Sequence, residues 1–461
     1  LDQLNPGNPA NNRPAALLLA GSLDVRAMEK SLSEIVSRHE ALRTVYRMVG
    51  DLPVQVIEAP QPVSLPVLDL GGIPLGEREI RAREVAVEEA RRSFDLARGP
   101  VLRATLLRWN DQEHVLIVIM HHIASDGWSS EVFFRELATC YNAFLTGAAP
   151  DLPSLPVQYA DYTLWQRQWL QGNELERLLS YWKQQIGQQL PRFSFPNSPC
   201  DRSTLPSRRG ATQVLKLPGI LAKALKTFSR TNNVTLFMTL VAAFKTLLYR
   251  YTGQGEVMVG IPIAARGSEE LEGVIGDFIS ILPLRSSLSG NPSFRSLLGR
   301  VRTVTLEAYS HQDLPVARLA EVLRAERGID LSAAFQVMFN LRNFPSQPVP
   351  FAGLTTVPFE FDCGIARFDL SLDIAETPDG LSCIFEHDTA VFDRETIVRL
   401  MQYFQTLLEG IVADPDQRID TFSLQTAAVH QQAAGTGNVT GEDTPAQHTV
   451  HRLFEIQAAR K

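Results

Sequence analysis

The sequence contains few cysteines, and no two of them stand in a CxxC spacing. The four are scattered over 461 residues, at Cys140, Cys200, Cys363 and Cys383. A zinc framework groups its ligands at short spacings, and a small secreted scaffold needs many paired cysteines. We therefore expect no bound metal and a cytoplasmic protein in a reducing compartment.

Long apolar runs and an excess of positive charge are also missing. No apolar run approaches the roughly 20 residues that a membrane-spanning helix requires. Acidic residues number 51 and basic residues 44, which gives a net charge of −7. Because nucleic-acid binding depends on neutralising phosphates with lysine and arginine, we expect neither a membrane nor a nucleic acid as a partner.

What is present is the composition of a globular protein that is too long for one core. Hydrophobic residues make up 44% and charged residues 21% of the 461 residues. A chain of this length normally divides into at least two compact units. A proline-containing stretch of low periodicity at about 191–213 is the best candidate for a linker. Strands precede helices in both halves, so we predict an α/β fold (an α+β sandwich) with two lobes.

An apolar strand near the middle of the first half leads into a cluster of polar residues. Val115–Met120 is an unbroken apolar run rich in β-branched residues, which is typical of a strand buried on both faces. The strand leads into His121 and His122, and then into Asp126 and Gly127. An amphipathic helix follows, and Asp126 or one of the next two serines is a candidate cap for its first turn.

The two imidazoles are suited to proton transfer. A histidine has an ordinary pKa near 6.5 and can accept and return a proton at neutral pH. Neighbouring side chains of an extended chain point to opposite faces, so only one of His121 and His122 can face a given cavity. Asp126 can fix a histidine tautomer or pair with an arginine, and Gly127 lets a substrate approach the backbone closely.

Other interpretations of this cluster remain open. Histidines at strand ends are most often core or rim residues without a chemical role. A metal would need a third ligand beside the two histidines and the aspartate, and no cysteine is spaced to supply one. The spacing from His121 to Asp126 also resembles the acid–histidine pair of glycerolipid acyltransferases, but membrane-associating segments, which usually accompany that pair, are absent.

The complete stretch HHIASDGWS resembles the HHxxxDG motif of condensation domains from nonribosomal peptide synthetases. Six further stretches resemble that family in order and spacing: RHEALRT (38–44), YADYTLW (159–165), IGDFISILPLR (275–285), HQDLP (311–315), FQVMFN (335–340) and FDL (368–370). Together they identify the chain as a member of the family, most like the domains that accept an L-configured donor. Heterocyclising relatives carry two aspartates in place of the histidine motif, which this chain lacks.

The resemblance implies a domain organisation. It implies two chloramphenicol acetyltransferase-like lobes, residues 1–178 and 179–430, in a V-shaped pseudo-dimer with the site at their junction. The stretch HTVHRLFEIQAARK resembles the start of an adenylation domain, so we expect residues 431–461 to be a linker and the truncated start of that domain. The first residue is Leu1 rather than methionine, and we expect the chain to be part of a longer synthetase.

The resemblance also implies the chemistry. Condensation domains join a donor acyl thioester to an acceptor amine, and both substrates arrive on 4'-phosphopantetheine arms of carrier domains, without a bound cofactor. The expected partners are an upstream donor carrier, a downstream acceptor carrier and an adjacent adenylation domain. Three alternatives stay open: a free-standing CoA-dependent acyltransferase, a non-catalytic recruitment domain of the same fold, and a condensation domain that also modifies its acceptor, for example by eliminating water.

The family's functional residues map onto the histidine motif and its surroundings. The resemblance assigns catalysis to His122, either as a general base or as a group that positions the amine. The N–H of Gly127 is the candidate donor to the oxyanion. His121 and Asp126 receive structural roles, and Arg43 is expected to pair with Asp126.

Three further side chains are candidates for contact with the substrates. Trp128 and Ser129 follow the motif directly. Ser280 lies in the stretch Ile279–Ile281, where the family usually has a Val-Asn-Thr sequence, so the polar lining of the tunnel is altered there. This departure motivates the alternative in which the acceptor is also modified.

Overall fold

The computed structural model describes residues 7–50, 52–195, 209–331, 335–342 and 350–424. Most of the predicted linker at 191–213 and all of the predicted tail at 431–461 lie outside the described residues. The described part is an α/β arrangement with two large sheets and surrounding helices, which confirms the predicted fold class.

Thirteen strands and ten α-helices form within the described residues. The strands are β1 (Asn12–Ala20), β2 (Thr44–Val49), β3 (Leu52–Ile57), β4 (Val67–Asp69), β5 (Leu102–Asn110), β6 (Glu113–His121), β7 (Gly210–Pro218), β8 (Glu256–Ala264), β9 (Ile279–Ser287), β10 (Val337–Arg342), β11 (Thr355–Pro358), β12 (Leu370–Thr377) and β13 (Gly380–Asp388). The helices are α1 (Val25–Arg38), α2 (Leu75–Arg91), α3 (Gly127–Leu145), α4 (Tyr159–Trp169), α5 (Gly172–Ile186), α6 (Gly219–Thr231), α7 (Leu236–Thr252), α8 (Phe294–Tyr309), α9 (Val316–Arg327) and α10 (Arg394–Ala413).

Several helices begin at aspartate caps. α1 follows Asp24, α3 follows Asp126 and α10 follows Asp393, and each carboxylate accepts the backbone N–H three residues further on. Such a cap satisfies one of the N–H groups that the first helical turn leaves without a partner. Of the three predicted cap candidates for the central helix, Asp126 is therefore the one that is used.

The two large sheets share strands from both halves of the chain. The first has the order β11-β1-β6-β5-β4 and the second the order β7-β13-β12-β10-β8-β9. β6 is the middle strand of the first sheet, and every residue from His114 to His121 is buried, which confirms the predicted two-sided burial. β11 comes from the second half but pairs antiparallel with β1. The second half thus completes the edge of the first sheet.

Each large sheet has its own hydrophobic core, and the chain crosses between the two cores. α5 belongs to the second core through Leu178, Trp182 and Ile186. The predicted boundary between residues 178 and 179 falls inside this helix, so the change of core precedes it. In the opposite direction, Ile275 from the second half is buried in the first core. The lobes are therefore joined by packing as well as by the chain.

No single helix within the described residues has both the length and the hydropathy of a membrane span. α6 and α7 meet that test only as a pair, and they are bent by 106° relative to each other. The middle of α7, from Met238 to Leu248, is buried inside the second lobe.

Candidate active site

The histidine motif lies between β6 and α3. β6 ends at His121, one 3-10 turn covers His122–Ala124, and α3 begins at Gly127. The turn gives the two imidazoles different surroundings, because His121 is 5% exposed whereas the side chain of His122 is 20% exposed. His122 is therefore the imidazole that a substrate can reach.

His121 occupies a structural position. Its Nδ1 atom accepts the Ile123 N–H at 3.1 Å, so the ring proton lies on Nε2. The ring of Phe94 meets its ring edge-on, with the two centroids 5.7 Å apart. A buried imidazole that serves as an acceptor and a packing surface has no free Nδ1 lone pair for proton transfer.

His122 faces a carboxylate from the second half of the chain. Its Nδ1 atom lies 3.3 Å from Oδ1 of Asp277, at ion-pair distance but without hydrogen-bond alignment. A carboxylate in this position favours the tautomer with the proton on Nδ1. The lone pair of Nε2 is then available to accept a proton.

Asp126 is fully buried and connects the two halves of the site. Its Oδ1 atom accepts the Ser129 N–H at 2.7 Å, and its Oδ2 atom accepts the Phe278 N–H at 3.1 Å. Nη2 of Arg266 donates to both carboxylate oxygens, at 3.1 and 3.3 Å. The buried charge is thus both paired and hydrogen-bonded, which is the condition under which a protein interior tolerates it.

Arg266 is itself held from three sides. Its Nη1 atom donates to the carbonyls of Leu271 and Val274, in both cases at 2.7 Å. Its guanidinium carbon lies 4.0 Å from the ring centre of Phe278. Burial lowers the pKa of Arg266, and the neighbouring Asp126 opposes that change. These contacts fasten the segment that precedes β9 to the start of α3.

A second connection holds the same segment at its other end. Nδ1 of His39 accepts the N–H of Ile275 at 3.4 Å, and its Nε2 atom lies 2.8 Å from Oε2 of Glu136. Since Nδ1 is the acceptor, Nε2 carries the proton and donates to the glutamate. The segment 275–278, which includes the carboxylate that faces His122, is thus tied to the first lobe at both ends.

Known proteins share both the sequence pattern and the fold of this chain. The profile of the condensation-domain family matches residues 1–433. The chain belongs to the condensation-domain family. It is 42% identical to one of the linear gramicidin synthase subunits of Brevibacillus parabrevis over 462 residues, which are 100% of this chain and 6% of that protein.

Solved structures agree with this assignment. The X-domain from teicoplanin biosynthesis has a TM-score of 0.82 and 27% sequence identity, and the match covers 91% of this chain and 94% of that chain. The first condensation domain of the calcium-dependent antibiotic synthetase has a TM-score of 0.76 and 22% identity, with 92% and 96% covered. The predicted chloramphenicol acetyltransferase-like fold of this condensation domain is confirmed.

The family has a defined function. Condensation domains of nonribosomal peptide synthetases form peptide bonds between substrates held on carrier domains, and they work together with carrier and adenylation domains. This condensation domain spans 6% of the length of the gramicidin synthase protein that it matches. It therefore corresponds to one domain-sized portion of such a synthetase.

The predicted pair between Arg43 and Asp126 is not formed in this condensation domain. Arg43 donates instead to the Glu58 carbonyl at 2.6 Å and to Oε1 of Glu40 at 3.3 Å. It ends the 3-10 turn before β2 and lines a cavity of about 770 Å³ in the first lobe. The prediction was wrong because Arg266, which follows β8, fills the place beside Asp126.

The remaining predicted residues take different positions in the condensation domain. Gly127 is the first residue of α3, so its N–H is one of those without an intrahelical acceptor. Nε1 of Trp128 donates to the Glu272 carbonyl at 2.8 Å, and Oγ of Ser129 accepts a backbone N–H of the second half at 3.1 Å. Both side chains therefore belong to the lobe junction. Ser280 lies on β9 with a buried Oγ that has no hydrogen-bond partner among the described residues.

Three residues of the junction were not among the predicted site residues: His39, Arg266 and Asp277. His39 and Asp277 lie in two of the stretches that resemble the family, RHEALRT and IGDFISILPLR. A titratable residue inside an otherwise apolar stretch is a signal that could have drawn attention to Asp277. In the part of the chain that the structure describes, no three histidine, cysteine or carboxylate side chains are grouped as metal ligands.

Proposed function

We propose that this condensation domain joins the acyl group of a donor aminoacyl or peptidyl thioester to the amine of an acceptor aminoacyl thioester. Both substrates are carried on 4'-phosphopantetheine arms, and the reaction needs no bound cofactor. The observation that carries the proposal is the geometry of His122. This imidazole is partly exposed at the lobe junction, with Nδ1 at 3.3 Å from the Asp277 carboxylate and Nε2 free to take a proton.

The reaction moves one proton from nitrogen to sulfur. The amine nitrogen attacks the thioester carbonyl carbon, and the carbonyl electrons move to oxygen. The C=O bond then re-forms, the C–S bond breaks, and the donor arm leaves as a thiol. An α-amino group has an ordinary pKa of about 7.7–8.0, so much of it is already neutral near pH 7.5. The reaction therefore depends more on a group that collects the released proton than on one that creates the free amine.

His122 performs this transfer through Nε2. It takes the proton from the nitrogen as the C–N bond forms and returns it to the departing sulfur. Asp277 orients the ring through Nδ1 and stabilises the imidazolium while the proton is on the ring. The N–H of Gly127, at the positive end of a 19-residue helix, donates to the oxyanion. Asp126 and His121 support the motif and do not contact the reacting atoms.

The partners follow from this reaction. An upstream carrier presents the donor, and a downstream carrier presents the acceptor and keeps the lengthened product. An adjacent adenylation domain loads the acceptor carrier. Family membership and the match to a portion of a linear gramicidin synthase support these partners.

Intact-protein mass spectrometry of the acceptor carrier tests the proposal. A loaded donor carrier and a loaded acceptor carrier are mixed with the wild type, His122→Ala or His311→Ala. His311 is a suitable control because it is also partly exposed, but its ring stacks on Tyr181 and its Nδ1 atom lies 2.8 Å from the Glu307 carbonyl, so it contacts neither the histidine motif nor Asp277. Transfer should fall by at least about 100-fold in His122→Ala and persist in the control.

Each alternative predicts a different result in the same experiment. Carrier binding without transfer by the wild type, for every matched pair, would indicate a recruitment domain. Turnover of simple CoA thioesters without carriers would indicate a free-standing acyltransferase. A product lighter than the dipeptide by one water, with a seryl acceptor, would indicate that the acceptor is also modified. Transfer that survives His122→Ala would contradict the role of this histidine.

A further inference from the structure

Arg13 is a cation at the lobe junction that has no partner in the described part of the chain. Its Nε atom is closed off from solvent and has no hydrogen-bond partner there. Its other guanidinium atoms likewise make no hydrogen bond or ion pair with any of the described residues. Burial lowers the pKa of Arg13, while Asp126 and Asp277 oppose that change. The side chain as a whole is half-buried. A charge that has lost part of its water without gaining a partner is destabilised, and a negative group beside it relieves that cost.

The register of β1 places Arg13 beside the histidine motif. Asn12 is opposite His121 and Arg13 is opposite Met120 in the antiparallel pair of β1 and β6. Directly opposite residues project their side chains from the same face of a sheet. The Nη2 atom of Arg13 lies 3.6 Å from the point that a Cβ on Gly127 would occupy. The guanidinium thus reaches the first turn of α3, where we place the oxyanion.

The charged groups that act on Arg13 are each paired with another residue. Besides the two aspartates near it, Arg342 and Asp373 contribute to its electrostatic environment. All four groups have other partners: Asp126 with Arg266, Asp277 with His122, and Arg342 with Asp373. Arg367 adds a further cation, and burial together with Arg13 lowers the pKa of Arg367 to about 10. Glu386 and Asp277 oppose the change at Arg367. None of the described carboxylates, however, lies at ion-pair or hydrogen-bond distance from the guanidinium of Arg13.

The helix that begins at Gly127 adds to this positive potential. α3 is 19 residues long, and the N–H groups of its first turn carry partial positive charge. A cation at this end of a helix is repelled, whereas an anion placed between the two is attracted by both. The position of Arg13 is thus unfavourable in the free domain and becomes favourable when a negatively charged ligand group is present.

We propose that Arg13 binds a carboxylate carried by one of the two substrates, next to the thioester carbonyl that is attacked. The inference rests on the proposed function and names its substrate class, an acyl group with an acidic side chain. A carboxylate can accept two N–H bonds from one guanidinium, and an amide of the same size cannot replace its charge. The phosphodiester of the phosphopantetheine arm is at the opposite end of the arm from the thioester, so it does not reach Arg13 during the reaction.

Titration calorimetry with stable pantetheine analogues tests this inference. In these analogues an NH group replaces the thioester sulfur. The donor comparison uses N-acetylaspartyl and N-acetylasparaginyl pantetheine amides, and the acceptor comparison uses the same pair with a free amine. The glutamyl and glutaminyl pairs test a longer side chain. The proteins are the wild type, Arg13→Gln, Arg13→Lys and the control Arg98→Gln, which changes a side chain that is 87% exposed.

The wild type should bind the acid at least about tenfold more tightly than the amide in one of the two comparisons. That comparison identifies which substrate carries the carboxylate. Arg13→Gln should abolish the preference and change the Kd of the amide by less than about threefold. Arg13→Lys should keep part of the preference, and Arg98→Gln should keep all of it. Equal Kd values for acid and amide in both comparisons, or an equal loss for both in Arg13→Gln, would overturn the inference.

Two further measurements distinguish a failure of this inference from misfolding and from a failure of the proposed function. Removing an unpaired cation should not lower the unfolding temperature, so thermal unfolding shows whether Arg13→Gln is correctly folded. The titration requires no turnover, so it can be compared with peptide transfer measured separately. A retained preference for the acid without peptide transfer would count against the proposed function alone, and peptide transfer without such a preference would count against the present inference alone.

Discussion

Lys245 is a charged residue whose replacement should stabilise the domain in a pH-dependent way. It is fully buried on α7, and its Nζ atom donates to the Leu284 carbonyl at 2.8 Å and to Oγ of Ser286 at 2.6 Å. None of the described carboxylates is paired with it, and burial lowers the pKa of Lys245 from 10.5 to about 7. We expect Lys245→Met to raise the free energy of unfolding at neutral and acidic pH.

The direction and size of this effect follow from proton binding. Between pH 7 and 10.5 the unfolded chain binds more protons at Lys245 than the folded domain does. The free energy of unfolding of the wild type therefore rises with pH through this window. The difference between the two pKa values corresponds to about 5 kcal/mol, which disfavours the folded state at low pH. Methionine leaves the two acceptors without their donor, which costs about 1–3 kcal/mol. Lys245→Met should therefore raise the free energy of unfolding by about 2–4 kcal/mol near pH 6, and this stabilisation should disappear near pH 10.

Urea unfolding followed by circular dichroism at several pH values between about 6 and 10 measures this effect. Lys223→Met is the matched control, because Lys223 lies exposed on α6. The control should leave the pH dependence of the wild type unchanged, whereas Lys245→Met should flatten it above pH 7. A variant that is less stable than the wild type near pH 6, or that keeps the wild-type pH dependence, would refute the reasoning.

Two further predictions concern the active site. Asp277→Asn should lower the kcat of peptide transfer at least about tenfold with little change in KM, because it removes the group that orients His122. Steady-state kinetics with loaded carriers measure this change, and an unaltered kcat would exclude such a role. Arg266→Met should lower the free energy of unfolding by about 3–5 kcal/mol, because Asp126 then stays buried without its counter-charge. Arg43→Met should lower the free energy of unfolding by only about 1–2 kcal/mol. Thermal unfolding measures both variants, and equal losses in Arg266→Met and Arg43→Met would contradict the pairing of Arg266 with Asp126.

Local features of the site could be predicted because they depend on residues close together in the sequence. The apolar run Val115–Met120 predicts a buried strand, and the residues after it predict a turn and a helix. Capping acts over three residues, so Asp126 could be proposed as the cap of α3 before its partners were known. The alternation of side chains along an extended chain end predicts different exposures for His121 and His122, and in the structure the 3-10 turn that begins at His122 produces the difference.

Partners from distant parts of the chain could not be predicted in this way. Arg43 and Arg266 both follow an apolar element, and either could supply a guanidinium to a buried aspartate. The choice depends on how β8 and the segment before β9 pack against α3, and this packing involves residues more than a hundred positions from Asp126. Asp277 lies in a stretch that resembles the family, but its role becomes visible only when that stretch is placed beside His122.

The connections between the lobes give the structural residues an indirect part in catalysis. His122 belongs to the first lobe and Asp277 to the second, so their distance depends on how the lobes are joined. Ile275 and Phe278, on either side of Asp277, are held by His39 and Asp126 of the first lobe. A displacement of the lobes that breaks these two hydrogen bonds would also separate the imidazole from its carboxylate. Residues that never touch a substrate can therefore control how His122 is oriented, because they fix the position of the short segment that carries Asp277.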